Sequence, residues 1–358
     1  GCAQDSSTRG QVNPILLPLS AAFRLGVACR HAAYRRGWLK TNRLSRPVIS
    51  VGNLTVGGTG KTPLGALVAK ILLRHGWKPS ILTRGYARRS KADLIVVAPA
   101  PARRADARDV GDEAALLAHA LPQVPLAVCA DRFRGGREVE EQFHVDVHIL
   151  DDGFQHFALA RDLDLVVLDA TQELSDRYLL PAGRQREPLA ALQRAQVIVI
   201  TRTECGDPKT LEDAVEKIHP AARVFRSSMI LSGLVDAQSS GAIPSERMRP
   251  EKVTAFCGIG NPRAFFADVR RWGFNLLAED AFPDHHVYTG QELDRLAAGA
   301  RKCGAAALLT TEKDAVKLPA DWKPALPVLA CAIEAQILGA EEFEKTLLTC
   351  LESSKKAN

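Results

Sequence analysis

Val51-Gly52-Asn53-Leu54-Thr55-Val56-Gly57-Gly58-Thr59-Gly60-Lys61-Thr62-Pro63 joins an apolar run to a helical pattern through a glycine-rich loop. Residues 47–51 read as a short buried parallel strand, and Leu64, Leu67, Val68, Ile71 and Leu72 recur at helical spacing up to Gly76. The loop therefore sits at a helix N-terminus, where unpaired N–H groups and the positive end of the helix dipole favour an anion. Gly57, Gly58 and Gly60 allow tight backbone curvature, so that several N–H groups converge on phosphate oxygens. Lys61 supplies a point charge for the β- and γ-phosphates, and the Thr62 hydroxyl suits Mg²⁺. Thr55 stands where the usual Gly-x-x-x-x-Gly-Lys-Thr pattern opens with glycine.

Working outward, apolar runs at residues 80–83, 94–98, 126–129, 147–150, 163–169 and 197–201 alternate with helical stretches. That rhythm predicts a parallel sheet covered on both faces, with ligands at the strands' C-terminal ends. Residues 227–251 are polar and contain Gly, Ser and Pro, so they read as a linker. Beyond them the rhythm resumes at 253–257, 263–272, 291–303, 306–311 and 328–333, which predicts a second, smaller α/β domain.

The chain has 358 residues, 46% hydrophobic and 25% charged, which is ordinary for a soluble globular protein of two domains. Its net charge of +6 is concentrated at one end. Residues 1–46 carry eight basic side chains (Arg9, Arg24, Arg30, Arg35, Arg36, Lys40, Arg43, Arg46) against Asp5, while the rest is nearly neutral. This distribution argues against a nucleic-acid groove on the main body. Residues 15–33 are rich in Leu, Ala, Phe and Val, but Arg24, Arg30 and His31 interrupt them, leaving no run of ~20 apolar residues to span a bilayer. A helix here lies either in a membrane interface or against the protein's own surface. No small-residue cleavage site follows it, which argues against a secretory signal. The eight cysteines contain no Cys-x-x-Cys pair and read as reduced thiols in a cytosolic compartment.

Several motifs surround the phosphate loop. Val147-His148-Ile149-Leu150-Asp151-Asp152 is an apolar run ending in two carboxylates, the place for the acid that holds Mg²⁺. Asp112 opens a helix and is either an N-cap or a carboxylate able to take a hydroxyl proton. Arg84 and Arg132 each follow a strand end, where guanidinium groups bind phosphate. His285 and His286 lack a third soft ligand for zinc, leaving a histidine that crosses the cleft or a structural loop. Thr310-Thr311-Glu312-Lys313-Asp314 is placed to contact a nucleotide base.

These residues together resemble the tetraacyldisaccharide 4′-kinase family. The resemblance rests on residues 52–63, Arg84-Gly85-Tyr86, Gly111-Asp112-Glu113, residues 151–156, Leu180-Pro181-Ala182-Gly183 with Arg186-Glu187-Pro188, Gly258-Ile259-Gly260-Asn261-Pro262, Asp284-His285 and Thr311-Glu312-Lys313-Asp314. Thr55 belongs to that family's loop. The resemblance implies an α/β fold with a P-loop NTPase-like parallel sheet sandwiched by helices, a second smaller α/β domain and an N-terminal membrane-associating helix. The corresponding boundaries are 1–46 for the basic interfacial segment, 47–226 for the kinase domain, 227–251 for the linker and 252–358 for the domain closing the cleft. The implied activity is ATP-dependent phosphorylation of the 4′-hydroxyl of a tetraacyldisaccharide 1-phosphate, giving the bis-phosphorylated lipid A precursor. Carried onto this sequence, Thr55, Val56, Gly57, Gly58, Thr59, Gly60, Lys61, Thr62 and Arg84 bind ATP. Thr62, Asp151 and Asp152 hold Mg²⁺. Asp112 is the base, helped by His285, with Lys61 and Arg132 completing the catalytic set. The implied partner is a membrane lipid at the cytoplasmic face of the inner membrane, with no nucleic acid and no obligate protein partner. Two other classes stay open on the residues alone: a nucleotide-driven switch, which needs no acceptor site, and a kinase for a soluble small molecule.

Overall fold

The computed structural model describes residues 14–86, 88–100, 105–172, 178–319 and 321–357. Residues 1–13 of the basic segment, with Cys2, Asp5 and Arg9, lie outside the described residues. The N-terminal helix α1 (Leu17–Arg35) leads into strand β1 (Val48–Asn53). Then come α2 (Lys61–Arg74), β2 (Pro79–Thr83), β3 (Leu94–Val97), α3 (Ala107–Val110), α4 (Asp112–Ala120), β4 (Leu126–Cys129) and α5 (Arg132–Gln142). β5 (Val147–Asp151), β6 (Leu163–Asp169), β7 (Val197–Thr201) and α6 (Pro208–Ile218) complete the first half. The second half holds β8 (Arg223–Asp236), β9 (Ala242–Ile243), β10 (Lys252–Cys257), α7 (Pro262–Arg271) and β11 (Asn275–Ala281). It ends with α8 (Gly290–Lys302), β12 (Ala307–Thr311), α9 (Glu312–Ala315), β13 (Val328–Ile337) and α10 (Ala340–Ala357).

Strands β1, β5, β6 and β7 are buried at every residue, as central parallel strands must be when helices cover both faces. On one face Ile49, Val51, Leu165 and Val199 pack with Leu64, Val68 and Leu72 of α2. On the other, Val166, Leu168, Ile198 and Ile200 pack with Leu54, Phe154 and Leu192. Smaller clusters around Phe256, Phe265 and Leu293 form the core of the second half.

The strand order is β3-β4-β2-β5-β1-β6-β7-β8-β13-β12-β10-β11, with β9 paired on β8. The sheet is therefore mixed, which corrects the wholly parallel expectation: β3 runs antiparallel to β4 at one edge, and β8 runs antiparallel to β13 in the middle. The linker expected over 227–251 is also corrected in its first part. β8 pairs with β7 through Arg223–Arg226 and then continues without a break, pairing with β13 from Ser227 to Asp236. Its buried residues alternate at Phe225, Ser227 and Met229, so a period-2 pattern was present beneath a Ser- and Gly-containing composition.

Helix α1 begins near the expected place, and only Ser20 on it is buried. The Ser20 hydroxyl donates to the Leu179 carbonyl at 2.8 Å, His31 meets Glu187 at 3.2 Å, and the rings of His31 and Tyr34 lie on Phe157. One face thus rests on the protein's own surface. The remainder exposes Leu19, Phe23 and Leu25, with Ile15 just before the helix. Among the described residues no helix is long and apolar enough to cross a membrane.

Candidate active site

The phosphate loop follows β1, and α2 starts at Lys61 with Gly60 as its N-cap. Gly57 and Gly60 adopt left-handed backbones with φ of 106° and 87°. A Cβ at Gly57 would lie 2.5 Å from Arg184 Nη2, and one at Gly60 2.6 Å from Met229 Cε, but those are the mobile ends of long side chains, so it is the backbone conformation that calls for glycine at both positions. Thr55 has no such need. It forms a β-type bridge with Gln185, and its hydroxyl donates to Gln172 Oε1 at 3.3 Å, which accounts for the missing first glycine. The neighbouring hairpin continues this pairing: Val56 N–H donates to the Arg184 carbonyl at 2.8 Å, and Arg186 N–H to the Leu54 carbonyl at 2.7 Å. Asn53 Nδ2 donates to Thr59 Oγ1 at 2.9 Å, and the Thr201 hydroxyl to the Thr59 carbonyl at 2.8 Å. Among the described residues, the N–H groups from Gly57 to Thr62 have no hydrogen-bond acceptor, leaving them open to an anion.

The two acids after β5 have different surroundings. Asp151 is buried, and its Oδ2 accepts the Thr83 hydroxyl at 3.0 Å. Burial, reinforced by the charges of Glu113 and Asp152, pushes its carboxyl up to about 7. Burial acts the same way on Asp152, but Arg186 and Lys61 outweigh it and hold that carboxyl well below the usual range. Arg186 grips Asp152 with both Nη atoms at 2.8 and 2.7 Å, and Lys61 Nζ stands 3.7 Å from Asp152 Oδ1. Asp152 itself has a left-handed backbone (φ 49°). The donor set fits a hard divalent cation: Asp151 sits in a surplus of negative charge with one oxygen unpartnered among the described residues, while the Asp152 oxygens are engaged by cations. Arg186 belongs to one of the sequence motifs, but nothing local links residue 186 to residue 152, so this clamp is visible only in the fold.

Asp112 is the first residue of α4. Gly111, with φ of 92°, occupies the N-cap, so Asp112 is not the cap. It is 7% exposed, and its Oδ2 lies 3.0 Å from His285 Nδ1. His285 comes from the turn after β11, has a left-handed backbone (φ 60°) and carries the Tyr86 ring against its own at 5.1 Å. A strained non-glycine backbone thus occurs at both His285 and Asp152. His286 takes the structural role instead, stacked on Phe282 and against Tyr288.

Arg132 is buried at the start of α5, with Nη1 donating to the Ala130 carbonyl and Nε left without a partner. Burial, followed by the charge of Arg84, lowers its affinity for the proton, while Asp151 and Asp152 oppose this. Arg84 is exposed beside it. Of the 310–314 segment expected to contact a base, Thr310 has a buried hydroxyl without a partner among the described residues, while the other four side chains are engaged within the protein. Thr311 caps α9, Glu312 accepts the Ile333 N–H, Asp314 is fully buried, and Lys313 pairs with Glu113 at 3.6 Å and Asp284 at 3.8 Å. These contacts press α9 against the start of α4.

The chain matches the family described as Tetraacyldisaccharide-1-P 4'-kinase over residues 12–352. A Tetraacyldisaccharide 4'-kinase of Geobacter metallireducens is 37% identical over 333 residues, which cover 93% of this chain and 96% of that protein. One from Syntrophus aciditrophicus is 35% identical over 359 residues, covering 96% of each. A crystal structure of LpxK from Aquifex aeolicus in complex with ATP superposes with a TM-score of 0.77 at 32% identity, covering 94% of this chain and 98% of that one. With a family match over nearly its whole length, joined to this phosphate loop and the carboxylates around it, the chain belongs to the tetraacyldisaccharide 4′-kinase family.

Proposed function

We propose that this chain transfers the γ-phosphoryl group of ATP to the 4′-hydroxyl of a tetraacyldisaccharide 1-phosphate, with Asp112 taking the hydroxyl proton. The observation that carries this assignment of roles is the Asp112–His285 contact of 3.0 Å, which joins the two halves of the molecule beside the phosphate loop. His285 orients Oδ2 of Asp112, and Oδ1 has no partner among the described residues. The acceptor oxygen attacks the γ-phosphorus as its proton passes to Asp112. The bond from that phosphorus to the β–γ bridging oxygen breaks, and ADP leaves with the electron pair. Phosphoryl transfer relies on positioning and on neutralising charge. Lys61 and the open N–H groups serve the phosphates, with Arg132 and Arg84 as further cations near the strand ends. Thr62 and Asp151 would hold Mg²⁺ directly, while Asp152 fixes Lys61 and Arg186. Bound there, Mg²⁺ neutralises phosphate charge. A switch without an acceptor leaves the Asp112–His285 pair without a purpose.

The acceptor carries acyl chains, so the enzyme must work at a lipid surface. Exposed Ile15, Leu19, Phe23 and Leu25, with Arg24, Arg30, Arg35 and Arg36, suit α1 to an anionic interface. We place it at the cytoplasmic face of the inner membrane, where ATP is supplied. The phosphate-binding unit (47–226) and the closing unit (252–358) meet along β8.

The test is transfer of label from γ-labelled ATP, with Mg²⁺, to a tetraacyldisaccharide 1-phosphate on anionic vesicles. Wild type is expected to co-sediment with the vesicles and label the lipid. Asp112→Asn is expected to retain ATP binding and lose turnover by about 10²–10⁴-fold. Unchanged turnover in Asp112→Asn would remove the base assignment, and a protein left wholly in the supernatant would remove the membrane assignment.

A further inference from the structure

Lys317, in the turn after α9, is 5% exposed on its side chain, although lysine is among the residues least often buried. Its ammonium lies 2.7 Å from Asp314 Oδ1, 3.4 Å from the Gly258 carbonyl and 5.5 Å from the centre of the Tyr288 ring. It also reaches across the cleft to Asp112 Oδ2, at 3.9 Å. Asp314 is fully buried and does not depend on Lys317 alone. It also accepts the Gly258 N–H at 3.1 Å, the Tyr288 hydroxyl at 3.0 Å and the Thr311 hydroxyl at 2.7 Å. Burial, followed by the charge of Asp314, drives the Tyr288 hydroxyl far above its ordinary range and keeps it a donor. The second half thus builds a fixed seat that holds one ammonium at the edge of the cleft.

We propose that Lys317 is a positioning residue for phosphoryl transfer: its ammonium, seated by Asp314, holds Asp112 as an oriented carboxylate. This rests on the assignment of Asp112 as base. Asp112 is faced by His285 and Asp284 from the turn after β11, by Lys313, Asp314 and Lys317 from α9 and its following turn, and by Glu113 on its own helix. The acids Glu113 and Asp284 disfavour a second negative charge beside them. Lys313 is shared between those two acids. Among the described residues, Lys317 and His285 are the charged groups that reach Asp112 itself. At 3.9 Å the ammonium attracts the Asp112 carboxylate, and Asp314, 2.7 Å from the same ammonium, offsets part of that attraction. Both reach the same oxygen, Oδ2, which leaves Oδ1 without a hydrogen-bond partner among the described residues.

The test is a double-mutant cycle with pH profiles, read in the lipid-labelling assay. Lys317→Met is expected to lower kcat by about 30-fold and move the acidic limb of kcat/KM upward by about one pH unit, with KM for ATP nearly unchanged. Lys317→Arg is expected to keep the limb in place. In an Asp112→Asn background the same Lys317→Met change is expected to cost less than about 3-fold, because its target is already neutral. Equal losses in both backgrounds with an unmoved limb would overturn the proposal and leave Lys317 as packing. Should Lys317→Met fail to fold, Lys317→Gln against Lys317→Arg gives the same comparison, and a limb that moves in neither overturns it. Full activity in Asp112→Asn alone would instead overturn the base assignment, so the two failures are distinct.

Discussion

The phosphate loop after β1 and the Gly258-Ile259-Gly260-Asn261 loop after β10 share a layout, yet their polar groups point to different ends. Each follows a buried parallel strand and opens a helix. In the first, the N–H groups from Gly57 to Thr62 are unspent among the described residues, and Lys61 and Thr62 begin the helix. In the second, Gly258 N–H is spent on Asp314 and Asn261 caps α7 through Ala264 N–H at 3.3 Å. The two loops approach one another: a Cβ on Gly260 would lie 3.8 Å from Gly58 N and 3.2 Å from Asp284 Oδ2. The two loops differ in two respects: the first has a lysine at the helix start and no N–H from Gly57 to Thr62 spent among the described residues, while the second spends two N–H groups on side chains and has Pro262 and Arg263 at its helix start. The second turn instead serves as a support, its Gly258 carbonyl accepting from His285 N–H at 3.2 Å and from the Lys317 ammonium at 3.4 Å.

That contrast breaks if substitutions in the two loops have the same consequences. Lys61→Ala is expected to have the largest effect on chemistry, a loss of about 10²–10³-fold in turnover, with thermal stability near wild type. Label transfer and a melting curve on one preparation check both parts. Asp314→Ala strips the buried ammonium of its carboxylate and is expected to cost about 3–5 kcal/mol, read by denaturant unfolding. ATP binding to the folded fraction should persist, since the phosphate loop is untouched. Asn261→Ala sharpens the comparison most finely. It should lose about 1 kcal/mol of stability through the missing cap and leave turnover per folded molecule within about 2-fold. A 100-fold loss of turnover in Asn261→Ala would mean that the second loop, too, handles phosphate.

The phosphate loop and the strand-end acids were legible because each is a local pattern, an apolar run ending in polar residues. The crossing of His285 to Asp112 was anticipated as one of two readings. Its partner Lys317 was not, although its place one turn beyond Lys313 offered a signal. Asp152 is expected to serve the metal with Asp151 from its place at a strand end and from the family resemblance, whereas its clamp by Arg186 depends on a hairpin that only the fold brings alongside the phosphate loop. β8 is not legible as a strand in the sequence, because Ser and Gly on a strand resemble a loop by composition and its pairing changes partner midway. The 310–314 segment is expected to contact a base because it follows a strand end. Four of its side chains are instead engaged in capping α9 and docking it on α4.

β8 belongs to both halves: its first residues close the edge of β7 and the rest close the edge of β13. Neither half therefore owns a complete hydrogen-bonded border. Melting the second half would strip β13 from β8 and expose the ladder groups of that shared strand, and melting the first would do the same at β7. Unfolding free energy is in this way pooled across the cleft, which ties the persistence of the phosphate loop to that of the distant strands.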